Sequence, residues 1–566
     1  MRSTLMTLHD PSLARQYYAE GLWQDVTLYG MALLNAAKSP GTYAVRDRAR
    51  RLTWQQLVDW ADSLAADLHD AGLRTGDRVA AWLPSRVECF VLYLACSRNG
   101  YVCSQSLHQN HTVNDVLTLL ERVDTRAFIG QPGYGADSNV HDIFQRLIDK
   151  GSMSRIYAVA PHDEISLALP PPIRTFPGMT AQHSLPPMNT NPDKVVYLAY
   201  TSGTTGLPKA LMHSDNTLLA NGRALVADWQ LTHEAVIFCI GPVSHHIATV
   251  GFEQHLVSGC ELVVNDITRE ERLIDRIIET GATYLLGVPT HAIDLLHAMR
   301  TAGLDKLGEV NTFYLAGAAI PSEVAQRLIG LRIIPQNIYG MSENGSHHST
   351  LRSDDVDILT RTVGQAVGRG QPVYEVKLFK ADDRDTEAAP GEVGEIGGRG
   401  AVLMLGYFGN SDATQAAFNR DGWFMSGDLG SMDAQGNLAI VGRSKDLIIR
   451  GGHNIYPAEI ENFALRHPQV VKAAAFPIAD VRLGEKVCLG VITTSGQPIS
   501  PNEMLEFLAQ AGLSKFDMPE YFYCTDAFPL TASGKILKRV LCDQVKSGLL
   551  APEPVRWVEK DHCRSA

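Results

Sequence analysis

At 566 residues, 45% of them hydrophobic and 20% charged, the chain exceeds what one hydrophobic core normally organises, so two or more domains are expected. A net charge of −12 argues against nucleic acid or an anionic membrane as a general partner, and any anionic substrate must therefore meet local positive groups. The N-terminus lacks a continuous apolar leader and no run is long enough to span a membrane, so neither export nor integral membrane association is expected. The nine cysteines, with no CxxC pair and an odd count, read as reduced thiols and favour a cytoplasmic localisation.

In chain order, helical periodicity runs over residues 52–73, a β-rich stretch over 78–83, a second helix over 113–123, a strand over 262–265 and a further helix over 271–280. This alternation predicts an α/β architecture with mostly parallel sheets. Residues 161–192 are rich in Pro, Ser and Asn and read as a surface connection. Between 374 and 405 short β-like segments broken by glycines suggest a small barrel-like subdomain. From Asp446 onward a second unit is expected, with a strand at 447–449, a helix at 457–466, strands near 470–476 and 486–494, and a helix at 501–511. The predicted class is thus α/β, with a large N-terminal domain of two α/β subdomains plus the barrel-like one, and a small α+β C-terminal domain.

The strongest local signal follows the apolar run 195–199. Thr201, Ser202, Gly203, Thr204, Thr205 and Gly206 supply hydroxyls and glycines that turn backbone N–H groups inward, and Lys209 adds a positive charge. Together these suit a polyphosphate. The string is not a Walker A loop, whose GxxxxGK[ST] pattern occurs nowhere in the chain. Neither GxSxG, HExxH nor CxxC is present, which disfavours a serine hydrolase and a zinc site. Alone, a Ser/Thr/Gly stretch is also an ordinary surface turn, and an Asp after Gly, as at Asp428, an ordinary turn residue.

The loop string, followed in order by Tyr339-Gly340-Met341-Ser342-Glu343, Gly427-Asp428, Gly442-Arg443-Ser444-Lys445-Asp446 and Ser533-Gly534-Lys535, resembles the adenylate-forming superfamily of acyl-CoA synthetases, adenylation enzymes and luciferases. The resemblance spans roughly residues 15–545. It implies a fold of a 1–443 N-terminal domain that binds ATP and acid, a mobile 446–566 C-terminal domain, and a hinge at 444–445. It also implies ATP, Mg²⁺ and coenzyme A as cofactors, and activation of a carboxylic acid to an acyl-AMP that a thiol then captures. A carrier-protein thiol in place of CoA, and luciferase-type oxygen chemistry, share the same motifs.

Residue by residue, the resemblance gives Thr201–Gly206 and Lys209 to the phosphates, Tyr339 and Asn337 to adenine, Ser342 to the α-phosphate, and Glu343, with Thr201, to Mg²⁺. Asp428 goes to the ribose diol, Arg443 to ribose and phosphate, and Lys535 to the carboxylate and α-phosphate during adenylation. Lys445 takes the pivot position, and rotation about it brings Gly451 and Gly452 to the CoA arm. The family usually has Thr where this chain has Ser342, and GGAP where it has Gly317-Ala318-Ala319; neither change removes a polar group.

For the acid, His245 takes the family's gating position and is assigned to catalysis and carboxylate contact, with His246, Gly317 and Gly340 completing the acid site. The text YYAEGLWQDVTL at 17–28 is similar to the subgroup of dihydroxybenzoate-activating enzymes and cyclohexanecarboxylate ligases. His246 stands where aryl-acid members place an Asn that reads a 2-hydroxyl, so a 2-hydroxybenzoate is disfavoured. Ile247, Ala248, Val250, Gly251 and Phe252 are expected to line an apolar cavity with residues 315–320, which suits a fatty, alicyclic or polycyclic acid.

Overall fold

The computed structural model describes residues 6–162, 169–180, 185–201, 208–318, 320–494, 496–530 and 536–557. Two large sheets carry the N-terminal region. In the first, Arg155–Ala158, Thr125–Gly130, Arg78–Trp82, Val102–Ser104 and Val195–Thr201 run parallel, and Lys209–Ser214 closes the edge antiparallel to Val195–Thr201. In the second, Tyr43–Arg46, Glu261–Val264, Val236–Cys239, Tyr284–Gly287, Thr312–Leu315 and Ile334–Met341 run parallel, and the hairpin partner Gly345–Ser349 returns antiparallel. Strands such as Arg78–Trp82, apolar after its first residue, and Tyr284–Gly287 are buried along their whole length, as sheets covered on both faces require.

Helices Trp54–Asp70, Glu88–Asn99, Asp215–Trp229 and His246–Ser258 fill the space between the sheets, and one hydrophobic cluster joins residues of both. Glu88–Asn99 is buried on every residue, so its lack of a clean polar face is a consequence of having protein on all sides. The first of these helices starts at a reciprocal cap between Thr53 and Gln56.

The expected barrel-like subdomain is an open sheet. Asp383–Glu387, Tyr374–Lys380, Gly394–Gly400, Phe424–Met432 and Leu438–Arg443 pair antiparallel in that order, and no described pairing joins the two outer strands. Two of the glycines within its strands serve packing: a Cβ on Gly397 or Gly398 would meet the rings of Phe379 and Tyr374 at 2.5 and 2.1 Å. Where it is described, the 161–192 connection lies largely at the surface, as expected, and is tied down at a few points. Arg174–Thr175 extends the first sheet, and Trp60 Nε1 and the Ser63 hydroxyl donate to the carbonyls of Pro177 and Gly178, both at 2.6 Å.

After Asp446, strands Ile448–Arg450, His453–Ile455, Val470–Asp480, Gly484–Thr493 and Tyr521–Cys524 form a smaller sheet, with helices Pro457–Ala464, Pro501–Gln510 and Lys538–Lys546. Its main core, including Ile448, Ile460, Val487, Leu489, Met504 and Phe522, contains only residues of this region. A separate core is the physical signature of an independent unit.

Candidate active site

The end of Ile334–Met341 turns tightly into Gly345–Ser349, with Gly340 paired to Ser346. A Cβ at Gly340 would lie 1.8 Å from the Gly345 carbonyl oxygen, so only glycine fits this hairpin. The turn presents Tyr339 toward the open sheet. Its hydroxyl donates to Asp428 Oδ2 at 2.9 Å, and Arg443 Nε donates to Asp428 Oδ1 at 3.1 Å from the directly opposite position on the neighbouring strand. The Asp428 backbone N–H is held by the Ser426 hydroxyl at 3.1 Å. Burial and the adjacent Asp428 charge push the Tyr339 phenol well above its ordinary range, so it remains a proton donor.

Beside this pair, Glu343 and Lys209 are joined through Tyr407. The Tyr407 hydroxyl donates to Glu343 Oε1 at 3.0 Å, and the Lys209 ammonium sits 4.6 Å from the Tyr407 ring centre. Burial raises the Glu343 carboxyl, while the Tyr407 hydrogen bond and the charges of Lys209 and Arg443 oppose that rise. Thr201 and Lys209 face each other across two antiparallel strands. Ser202, Gly203, Thr204, Thr205 and Gly206, and likewise Lys535, lie outside the described residues.

Ser342 is anchored through its backbone carbonyl, which accepts from His213 Nε2 at 2.7 Å. Burial lowers His213 to about 4, so the ring is neutral at pH 7 and donates from that nitrogen. His246 stacks on both His213 and Tyr197, with ring centres 5.7 and 5.9 Å apart and planes within 20°. His245 caps the helix His246–Ser258 by accepting from the Ile247 N–H at 3.3 Å. Asn337 donates to the Thr362 carbonyl at 2.7 Å, and its Oδ1 is buried without a partner among the described residues.

Gly317 follows the strand Thr312–Leu315 with φ of +88°, near the same sheet end. On the other side of the junction, Lys445 is exposed in the single turn Ser444–Asp446, whose Ser444 hydroxyl donates to the Gly427 carbonyl at 3.0 Å. Gly451 and Gly452, with φ of +58° and +87°, make the exposed turn between Ile448–Arg450 and His453–Ile455. The described structure thus gathers Thr201, Lys209, Tyr339, Ser342, Glu343, Asp428 and Arg443 into one network of strand ends. Sequence reasoning missed Tyr407 and His213, which hold Glu343 and Ser342 from 64 and 129 residues away in the chain.

The AMP-binding enzyme model matches residues 34–408, and the AMP-binding enzyme C-terminal domain model matches residues 459–535. The chain belongs to the AMP-binding enzyme family. It is 30% identical over 531 residues to the medium-chain fatty-acid–CoA ligase of Escherichia coli (strain K12), covering 93% of this chain and 91% of that one. It is 29% identical over 549 residues to the salicylyl-CoA synthase / salicylate adenylyltransferase of a Streptomyces species, covering 94% and 96%. Among solved structures, ATP-bound MatB from Rhodopseudomonas palustris superposes with a TM-score of 0.76 at 26% identity, covering 91% of this chain and 99% of that one. The adenylate-forming membership expected from the motifs therefore holds, and the chain is an AMP-forming acyl-CoA synthetase. No described helix is long and apolar enough to cross a membrane.

Proposed function

We propose that the enzyme activates a largely hydrophobic carboxylic acid, of medium-chain, alicyclic or polycyclic type, and passes it to CoA in the cytoplasm. The observation that carries the site assignment is the Asp428 carboxylate, held by Tyr339 on one oxygen and Arg443 on the other, beside the Glu343–Tyr407–Lys209 group. A carboxylate so fixed accepts from the two adjacent hydroxyls of a ribose with its remaining lone pairs. Arg443, Lys209 and the 201–206 loop meet the phosphates, Ser342 the α-phosphate, and the orphan Oδ1 of Asn337 suits an exocyclic amine such as that of adenine.

In the first half-reaction an oxygen of the acid attacks the α-phosphorus and pyrophosphate leaves. Lys535 stabilises the negative charge that builds there. In the second, the CoA thiolate attacks the acyl carbon and AMP leaves. Glu343 fits a hard cation, because it offers carboxylate oxygen in a buried setting where a tyrosine hydroxyl, a backbone N–H and nearby positive charge oppose but do not cancel its desolvation. Thr201 and Glu343 are the groups that would hold Mg²⁺, which when bound neutralises phosphate charge.

Two half-reactions with different geometric needs share this cleft. The exposed Ser444–Asp446 turn between two separately cored regions suits a pivot at Lys445, with Gly451 and Gly452 arriving beside the pantetheine arm after rotation. His245 and Gly317 stand at the acid carboxylate, and the buried Ile247, Ala248, Val250 and Phe252 favour an apolar acyl body. ATP–pyrophosphate exchange across a panel of carboxylic acids, followed by trapping of the best acyl-AMP with CoA alone, tests this reading. Exchange with apolar acids and thioester formation on free CoA are expected. Exchange restricted to amino acids, or thioester formed only on a carrier protein, would reject it.

A further inference from the structure

Along the helix His246–Ser258 the apolar residues expected to face the acyl group alternate with a polar line that continues from His246 through two residues, Thr249 and Glu253, not singled out in the sequence. His246, Thr249 and Glu253 lie three and then four residues apart and therefore share one face. All three are buried, with exposures of 9%, 2% and 1%. On each, a polar atom, His246 Nδ1, Thr249 Oγ1 and Glu253 Oε2, makes no hydrogen bond of good geometry among the described residues, nor does the buried Tyr93 hydroxyl, although Thr249 stands near enough to Tyr93 and Tyr197 to influence both phenols. Glu253 lies near enough to Tyr93, Tyr197 and Tyr314 to influence the ionisation of all three phenols. Tyr197 in turn stacks on His246, which closes the group on itself.

Folded proteins satisfy almost all buried polar groups, and three such atoms on one helix face, with a fourth on Tyr93 of the helix Glu88–Asn99, depart from that rule. Apolar residues would pack such a face without the desolvation cost. Glu253 is the extreme member: burial raises its carboxyl well above the ordinary range and nothing described offsets it, so it is a neutral acid able both to donate and to accept. The neighbouring helix packs closely against this position, since a Cβ on Gly222 would lie 2.8 Å from the Glu253 Cβ.

We propose that His246, Thr249 and Glu253, with Tyr93 opposite, form a hydrogen-bonding wall of the acid cavity that selects an acid whose apolar body carries a hydroxyl or carbonyl far from its carboxylate. The inference rests on the acid-activation reading above. His245, assigned to the carboxylate, caps the helix, and Glu253 lies eight residues further, so the distal group stands about 12 Å along the helix axis from the carboxylate end. The ligand class is therefore an elongated, uncharged-tail acid with one or more distal oxygen functions, in place of a plain hydrocarbon chain.

The test is ATP–pyrophosphate exchange with the full chain on matched acids: octanoate, decanoate and cyclohexanebutyrate, each against its distal hydroxy and oxo derivative and its ω-amino derivative. The wild type is expected to favour the hydroxy or oxo member of at least one pair by about tenfold or more in kcat/KM, chiefly through KM, because a site that hydrogen-bonds a substrate hydroxyl discriminates against the analogue lacking it. Glu253→Leu should bring that ratio close to one, while Glu253→Gln should retain most of it. Thr249→Val, a milder change, gives the same comparison if Glu253→Leu does not fold, with thermal melting as the control. Equal kcat/KM across every pair overturns the inference and leaves the activation reading intact. Preference for the ω-amino acids overturns it too, by making Glu253 an ion-pair partner. No exchange with any acid counts against the activation reading itself.

Discussion

The two regions on either side of Lys445 display their functional groups in opposite ways. Before it, Asp428 and Tyr339 are both 7% exposed and locked by side-chain hydrogen bonds onto the ends of paired strands. After it, Gly451 and Gly452 stand on an exposed turn of left-handed backbone with open space around Gly452. Buried, cross-braced groups suit a ligand that stays bound through both half-reactions, such as the nucleotide. Groups on exposed turns suit an element that has to enter and leave.

Removing one group on each side of the junction is the sharpest way to break this contrast. On the C-terminal side, Lys535→Ala is expected to slow adenylation by about 10² to 10³-fold, the range for loss of one preorganised donor. Thioester formation from preformed acyl-AMP and CoA should stay within a few-fold of wild type. Single-turnover assays of each half-reaction separate the two. Parallel loss of both steps would make Lys535 a structural residue and dissolve the proposed division of labour.

On the N-terminal side, Asp428→Ala should weaken ATP use by roughly 1.5 to 3 kcal/mol, the worth of a charge-assisted hydrogen bond, and in both half-reactions that involve bound nucleotide. The loss should appear in the ATP KM and in AMP binding measured by calorimetry. It also leaves the Tyr339 hydroxyl and the Arg443 guanidinium without their acceptor, so a modest fall in Tm is expected alongside. Unchanged AMP affinity would place the ribose elsewhere.

What could be read in advance follows the same division between local and distant chemistry. The family was legible from the strings at 201–209, Tyr339–Glu343, Asp428 and Arg443 because each motif is short and contiguous. Helices and strands with a strong period, such as 113–123 and 78–83, appeared within a residue or two of their observed bounds. Tyr407, His213 and the Trp60 and Ser63 contacts were illegible because each joins residues remote in the chain and carries no periodic signal. Thr249 and Glu253 were overlooked for a different reason: the apolar residues between them dominated the stretch. The short β-rich segments of the small subdomain were legible as well, whereas whether their sheet closes depends on pairings between strands remote in the chain.

The contrast extends to acid stability. The imidazoles that burial depresses belong to the N-terminal region: His108, His213 and His291 to about 4, His255 and His348 to about 3, and His246 and His347 well below the ordinary value. Each takes a proton near 6.5 when unfolded but resists it when folded, so the unfolded state binds more protons below that pH. Stability should therefore be full above about pH 6.5 and fall as pH drops toward 4, by about 1.4 kcal/mol per pH unit for each imidazole involved. Differential scanning calorimetry between pH 7.5 and about 5 checks the sign. If the regions melt separately, the transition of the N-terminal region should move down first, and a transition indifferent to pH in this window would mean that the rings protonate in place.

The smallest effect expected is also the most diagnostic of the junction. Lys445 sits in the exposed single turn Ser444–Asp446, so Lys445→Pro removes no buried side chain. Proline fixes φ near −65° and deletes a backbone N–H, which obstructs rotation of the chain at that point. Adenylation, carried out before the rotation, should continue at close to the wild-type rate, whereas thioester formation should slow several-fold. Lys445→Ala, which keeps the backbone free, should leave both steps near wild type, separating an effect of the backbone from one of the ammonium. Equal loss of both half-reactions in the proline variant, or the same selective loss in the alanine variant, would move the pivot away from residue 445 and leave the exposed glycine turn at 451–452 without its proposed route to the active site.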